Sequence, residues 1–213
     1  GRRLSQIAEE NLDPSNAVAV WLGPGHVQEF YRGIPNCMVI DSRREDVKRR
    51  LVQSFSSDLI RFYYGDDLIG NEVGAAAKNV VGIAAGFLDG KGLSSLKGAL
   101  MSRGTREVAR LIQAMGGSQL SAYGLCHLGD YEATVFSRYS HNRQFGESFI
   151  RGETYTDLAE GYYTVEALVL LGQRYGVELP ICQAVHRVLY CGADPMQELR
   201  ALLDRNLTRE FGE

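Results

Sequence analysis

The hydrophobic rhythm of the chain changes about a third of the way along. Before that point, short apolar runs alternate with short helical stretches. Leu4, Ile7, Ala8 and Leu12 recur at helical spacing, and Asp13-Pro14-Ser15 breaks that helix. Residues 17–22, rich in Val and Trp, predict a short buried strand. Gly23-Pro24-Gly25 turns the chain into a helical stretch over 26–31, and residues 37–40 predict a second strand. Ser42 and Glu45 have capping-box spacing ahead of a helix whose buried stripe is Val47, Leu51 and Phe55. Residues 59–64 predict a third strand.

Beyond residue 66 no strand pattern recurs. Residues 71–87 are apolar at helical spacing and full of Gly and Ala. A second helix over 95–115 ends at Gly116-Gly117, and a shorter one covers 130–138. The polar stretch that follows, Ser140 to Arg143, reads as a loop. A helix over 162–175 stops at Gly176, Pro180 opens the next and Gly192 closes it. Asp194-Pro195 starts a last helix carrying Leu199, Leu202 and Leu203. The expected organisation is a mainly α chain: an α/β part over 1–66, then an all-α domain over 67–213.

Composition and charge narrow the function. With 23 Lys+Arg against 26 Asp+Glu, the chain lacks the basic excess that neutralises phosphates, so nucleic acid is not an expected partner. An apolar content of 45% excludes intrinsic disorder. The longest apolar run falls far short of the ~20 residues that cross a bilayer, so no membrane span is expected. Four scattered cysteines without a CxxC pattern suit a reduced, cytoplasmic protein. The chain opens on Gly1 rather than Met, which points to sequence missing upstream.

Several groupings could carry chemistry. Gly23-Pro24-Gly25 between a strand and a helix, with Asp41 ending the next strand, has the outline of a dinucleotide-binding turn. However, Gln28 stands at the third glycine position, and Pro24 removes an amide. Lys78 is the one basic residue among small and apolar neighbours. It either snorkels outward or is desolvated and poised as a general acid/base. Asp130 opens a helix as a cap or pairs with His127 three residues earlier. Ser140, His141, Asn142 and Arg143 supply hydroxyl, amide and basic donors in four residues, a set suited to phosphate. Glu160-Gly161 reads as a cap. Cys182 and His186 share a helix face, but no further ligand pair is in register, so no metal site is expected.

Taken in order, these segments resemble the NAD(P)-dependent glycerol-3-phosphate dehydrogenase family. The resemblance runs through Trp21-Leu22-Gly23-Pro24, Glu72-Val73-Gly74, Lys78-Asn79-Val80, Ile83 to Gly86 and Asp89-Gly90. It continues with Ala99 to Gly104, Gly124-Leu125, Leu128-Gly129-Asp130, Asn142-Arg143, Phe145-Gly146, Glu160-Gly161 and Leu179-Pro180-Ile181. It implies a helical domain like the C-terminal domain of 6-phosphogluconate dehydrogenase, preceded by the remnant of a Rossmann-type domain. It implies Lys78 as the catalytic lysine. Asn79, Asp130, Ser140, His141, Asn142 and Arg143 become substrate ligands, and Gly23, His141 and Glu160 become cofactor neighbours. The implied reaction is reversible hydride transfer between NAD(P)H and dihydroxyacetone phosphate or sn-glycerol 3-phosphate, supplying glycerophospholipid synthesis. NAD or NADP would be gripped mostly by a fingerprint upstream of Gly1, and a homodimer is possible.

The chain departs from the family pattern at identifiable positions. His141 stands where the family usually has Arg, Gly25-His26 replaces a Ser/Thr–Phe pair, and His127 replaces a glycine. Two other readings compete: a related β-hydroxyacid or phosphogluconate-type dehydrogenase, and a non-catalytic helical binding or dimerisation module.

Overall fold

The computed structural model describes residues 1–206 and Glu210. Its centre is α4 (Leu68–Gly90), started by Asp67, whose side chain accepts from the Gly70 amide at 2.9 Å. Buried residues occur on nearly every side of α4, which makes it a core helix rather than an amphipathic surface one. Around it pack α5 (Lys97–Ala114), α6 (His141–Arg151), α7 (Glu160–Tyr175) and α8 (Pro180–Cys191), with α9 (Pro195–Leu203) on α8. Val80, Ile83, Val108, Leu111, Ile112, Val165, Leu168 and Val185 form the main core. Gly176 and Gly192 take left-handed φ values of +66° and +68° and end α7 and α8 where the sequence predicts.

The first third forms a three-stranded sheet in the order β1-β2-β3. It is preceded by α1 (Leu4–Asn11) and contains the single turn α2 (Val27–Phe30) and α3 (Glu45–Phe55). β2 (Asn36–Ser42), α3 and β3 (Ile60–Tyr64) make a parallel crossover unit, with Asn36 opposite Ile60 and Ile40 opposite Tyr64. By contrast, β1 (Ala19–Leu22) runs antiparallel to β2, Ala19 facing Ser42. The Gly23-Pro24-Gly25 segment is therefore not the turn of a parallel βαβ unit. Its dinucleotide outline does not survive, because that motif needs a crossover returning parallel.

Two local expectations are also corrected. Ser42 makes no capping box with Glu45. It ends β2, its hydroxyl donates to the Val18 carbonyl at 2.6 Å, and α3 starts after Arg44. The Glu45 carboxylate instead takes Lys48 and Arg49 on its own helix. The buried stripe of α3 is Val47, Lys48 and Val52, whereas Phe55 is exposed beside Trp21. Lys48 is tolerated inside because its Nζ donates to the Gly65 carbonyl and pairs with Glu45 and Asp66.

Buried polar contacts fasten the sheet to the helices. Asp41, 2% exposed at the end of β2, accepts from Asn71 Nδ2 at 2.8 Å and from the Asp67 amide at 3.1 Å. Glu72 of α4 accepts from the Ser5 amide at 2.8 Å and pairs with Arg3, both side chains of the pair being buried. These contacts hold the start of α4, and with it the turn that carries Lys78, against both α1 and the sheet.

Candidate active site

Lys78 lies in the middle of α4 and reaches a carboxylate 52 residues further on, Asp130, to which its Nζ donates. The Lys78 side chain is 21% exposed and that of Asp130 2%. The lysine side chain is therefore partly open to solvent, and the carboxylate it meets is sealed. Burial pushes Asp130 up to about 6, with the Lys78 charge opposing the rise. Asp130 ends a single 3-10 turn, Leu128–Asp130, and a π-helical turn, Glu132–Phe136, follows. The continuous α-helix expected over 130–138 is absent.

The pairing of His127 with Asp130 is not formed. His127 is fully buried, its Nδ1 lies 2.9 Å from the Gly74 carbonyl and its Nε2 2.7 Å from the Tyr131 hydroxyl. Burial, with Lys78 adding to it, lowers His127 to about 4 and keeps it neutral. Next to it, burial pushes the Cys126 thiol up to about 12, so that sulfur is inert.

One residue after Lys78, Asn79 Nδ2 donates to Glu160 Oε2 at 3.0 Å, and the Gly161 amide donates to Asn142 Oδ1 at 2.8 Å. The N-terminus of α7 thus closes over α4 and α6. Gly161 is required there, because a Cβ would meet the Asn79 carbonyl oxygen at 2.6 Å. The fold therefore forms two sets of contacts on adjacent residues of α4, Lys78 with Asp130 and Asn79 with Glu160, the second joined to Asn142 through Gly161.

The polar stretch 140–143 is not a loop but the first turn of α6. The Ser140 hydroxyl caps that helix by accepting from the Arg143 amide at 3.3 Å. Arg143 is drawn into a different cluster: its guanidinium donates to Asp89 and Glu147 at 2.9 Å each and to the Ser137 carbonyl at 3.2 Å. Lys97 joins Asp89 at 2.6 Å. The Arg143 Nε and Nη1 are thus engaged within the protein. His141 is exposed and its Nδ1 lies 2.8 Å from the Tyr155 hydroxyl. A Cβ on Gly23 would lie 3.0 Å from Met38 Cα, so the glycine lets the chain pass close to β2.

Cys182 and His186 have separate surroundings. Cys182 is buried at the start of α8, where its amide donates to Glu107, and His186 stacks on Tyr190 with ring centroids 4.9 Å apart. Glu107 carried no signal in the sequence. It lies inside the molecule and accepts from the Ile181 and Cys182 amides at 2.8 and 3.0 Å, capping α8 from α5. A groove of about 1410 Å³ near these helices is lined by Leu88, Arg103, Arg110, Val188 and Leu199, and none of the residues around Lys78 reaches it.

A buried helix thus presents one lysine to a sealed carboxylate, wrapped by helices and attached to a small sheet. The family model for the NAD-dependent glycerol-3-phosphate dehydrogenase C-terminus matches residues 67–200, and the chain belongs to that family. Among its relatives, glycerol-3-phosphate dehydrogenase NAD(P)+ of Thermus thermophilus is 42% identical over 194 residues, covering 88% of this chain and 60% of the relative. The Thermotoga sp. protein of the same name is 36% identical over 99% of this chain and 67% of its own length. The crystal structure of glycerol-3-phosphate dehydrogenase from Coxiella burnetii superposes with a TM-score of 0.89 at 31% identity, covering 96% of this chain and 65% of that one. A Plasmodium falciparum structure at 15% identity and a TM-score of 0.84 shares the fold. The chain spans about 60% of the length of the Thermus relative.

Proposed function

We propose that this chain carries the substrate-binding half of a glycerol-3-phosphate dehydrogenase, which moves hydride between NAD(P)H and dihydroxyacetone phosphate. The observation that carries the reading is the Lys78–Asp130 pair, half-open on one side and sealed on the other, inside the segment that matches the family.

In reduction, the carbonyl carbon receives hydride while the carbonyl oxygen receives a proton. The Lys78 ammonium supplies that proton, and in the reverse direction the neutral amine takes it from the alcohol. Asp130 steadies the ammonium between turnovers. Asn79, tied to Glu160, offers its amide beside the reacting carbon. Ser140, His141 and Asn142 receive the phosphate at the N-terminus of α6, where helix amides favour an anion. Arg143 acts there through the α6 backbone it anchors to Asp89.

NAD(P)H supplies the hydride when bound. The antiparallel return of β1 does not suit its pyrophosphate, so the reading assigns this chain only the nicotinamide side, near Glu160, His141 and Gly23. The pyrophosphate falls to a glycine-rich fingerprint outside these residues. A cytoplasmic location and a homodimer belong to the same reading; among the described residues no helix is long and apolar enough to cross a membrane.

Consumption of NADH and of NADPH by the full-length gene product, with dihydroxyacetone phosphate as acceptor, tests this. Saturable turnover supports it. Turnover only with β-hydroxyacids or phosphogluconate would move the protein to a neighbouring dehydrogenase class.

A further inference from the structure

Lys78 and Asp130 come from elements of unequal rigidity. Lys78 sits on a 23-residue helix. Asp130 sits on an irregular segment, a 3-10 turn running into a π-helical turn, with no regular ladder fixing its height against α4. A lysine side chain has four rotatable bonds, so the pair needs an outside constraint to hold one geometry.

His127 stands between the two elements. A backbone carbonyl can only accept, so the bond to Gly74 places the proton on Nδ1 and leaves Nε2 to accept the Tyr131 hydroxyl proton. Gly74 lies four residues before Lys78, so its carbonyl is the one the helical ladder assigns to the Lys78 amide. Tyr131 is the residue after Asp130. The imidazole therefore bridges the turn that bears the lysine and the peptide that bears the carboxylate. The approach depends on Gly74: a Cβ there would lie 3.1 Å from His127 Cβ, tighter than ordinary packing. All of it is dry, since His127 and Tyr131 are both 0% exposed. In such a setting a satisfied polar bridge is rigid, and an incomplete one is costly.

We propose that His127, spanning the Gly74 carbonyl and the Tyr131 hydroxyl, is a positioning residue that sets Lys78 against Asp130. It touches neither partner's charged atoms and acts through the two backbones. The catalytic consequence rests on the proton-transfer role proposed for Lys78, but the geometric one does not.

The test uses the full-length gene product with His127→Ala, His127→Asn and the nearly isosteric Tyr131→Phe. The first readout is acetylation of Lys78 by acetic anhydride, followed by mass spectrometry, which needs no substrate. The expected result is severalfold faster labelling in His127→Ala and Tyr131→Phe. His127→Asn should label about as fast as Tyr131→Phe, because each keeps the bond to Gly74 and loses the one between residues 127 and 131. The second readout is dihydroxyacetone phosphate reduction, where kcat should fall roughly tenfold or more while KM for NADH holds. Wild-type labelling in both His127→Ala and Tyr131→Phe, with only a lower melting temperature, would overturn the proposal and leave His127 a packing residue. If the wild type reduces no triose phosphate, the function proposed above fails, and the labelling comparison still decides the role of His127.

Discussion

The Lys78 ammonium meets the Asp130 carboxylate across 52 residues of sequence, one on a core helix and the other at the end of a single 3-10 turn. The carboxylate alone is sealed from water, so each group depends on the other in a different way. Asp130 needs a counter-charge to stay ionised, whereas Lys78 needs a fixed direction.

Replacing Lys78 with Met in the full-length protein should lower turnover by about two to four orders of magnitude, the usual loss for a general acid/base. The fold should persist, because the abandoned Asp130 takes up a proton rather than remaining as a bare buried charge. Steady-state kinetics together with circular dichroism checks both parts.

Asp130 titrates near 6 in the folded protein. Below that pH it becomes neutral and releases Lys78, so turnover should show an acid limb centred near 6, which Asp130→Asn should abolish. Stability carries the opposite sign from a salt-bridged surface carboxylate. The folded value lies above the ordinary aspartate value of 3.8, so the folded state keeps a proton that the unfolded state has lost. The contribution of this residue is present below about pH 3.8 and declines as pH rises through 3.8 to 6. Urea titrations of wild type and Asp130→Asn across that window should show a steeper slope in the former, the remainder coming from Asp41 and Glu107, which burial also raises.

Gly146→Ala should destabilise the protein by about 1–3 kcal/mol, the usual cost of forcing extra volume into a packed contact. A Cβ on Gly146 would overlap the Ile83 carbonyl oxygen of α4, and a Cβ on the facing Gly86 would overlap the Arg143 carbonyl just as closely. Separating α6 from α4 should also weaken substrate binding, since Asn142 rides on the same helix. Thermal melts and the KM for dihydroxyacetone phosphate measure the two effects.

Glu107→Ala removes the acceptor from two interior amides of α8. The expected loss is about 2–4 kcal/mol, larger than that of an exposed cap, because the stranded amides cannot turn to water. Glu107→Gln should recover part of it, since one amide oxygen can still accept one of the two bonds. Chemical denaturation of both variants would show the order.

His141→Arg should lower the KM for dihydroxyacetone phosphate. A guanidinium keeps its charge and offers a two-pronged donor, while the exposed imidazole is partly engaged by Tyr155. An unchanged KM would place the phosphate on Ser140 and Asn142 without help from residue 141.

The helices α4, α5, α7 and α8 were legible in the sequence because each writes its burial as an apolar stripe or run and marks an end with glycine or proline. α6 was not. Its buried residues are Asn142 and Gly146, and it is held by a glycine contact and by the Arg143–Asp89 pair. Hydropathy has no symbol for either, so the segment read as a polar loop. Glu107 was hidden for a related reason: a charged residue on an amphipathic helix looks solvent-facing until the amides of α8 arrive to bind it.

The sequence by itself determined the division between strand-bearing and helical parts, the helix ends at Gly176 and Gly192, and the isolation of Lys78 among small residues. These follow from local rules, backbone freedom and the burial of apolar faces, which act over a few residues. Only the tertiary structure decided the partners. It turned β1 antiparallel to β2, withdrew Arg143 into the Asp89 cluster, and gave His127 to Gly74 and Tyr131 while giving Asp130 to Lys78. Each of those outcomes is a choice among several acceptable polar pairings. The choice is made by which donors and acceptors packing brings within about 3 Å of one another, the reach of a hydrogen bond.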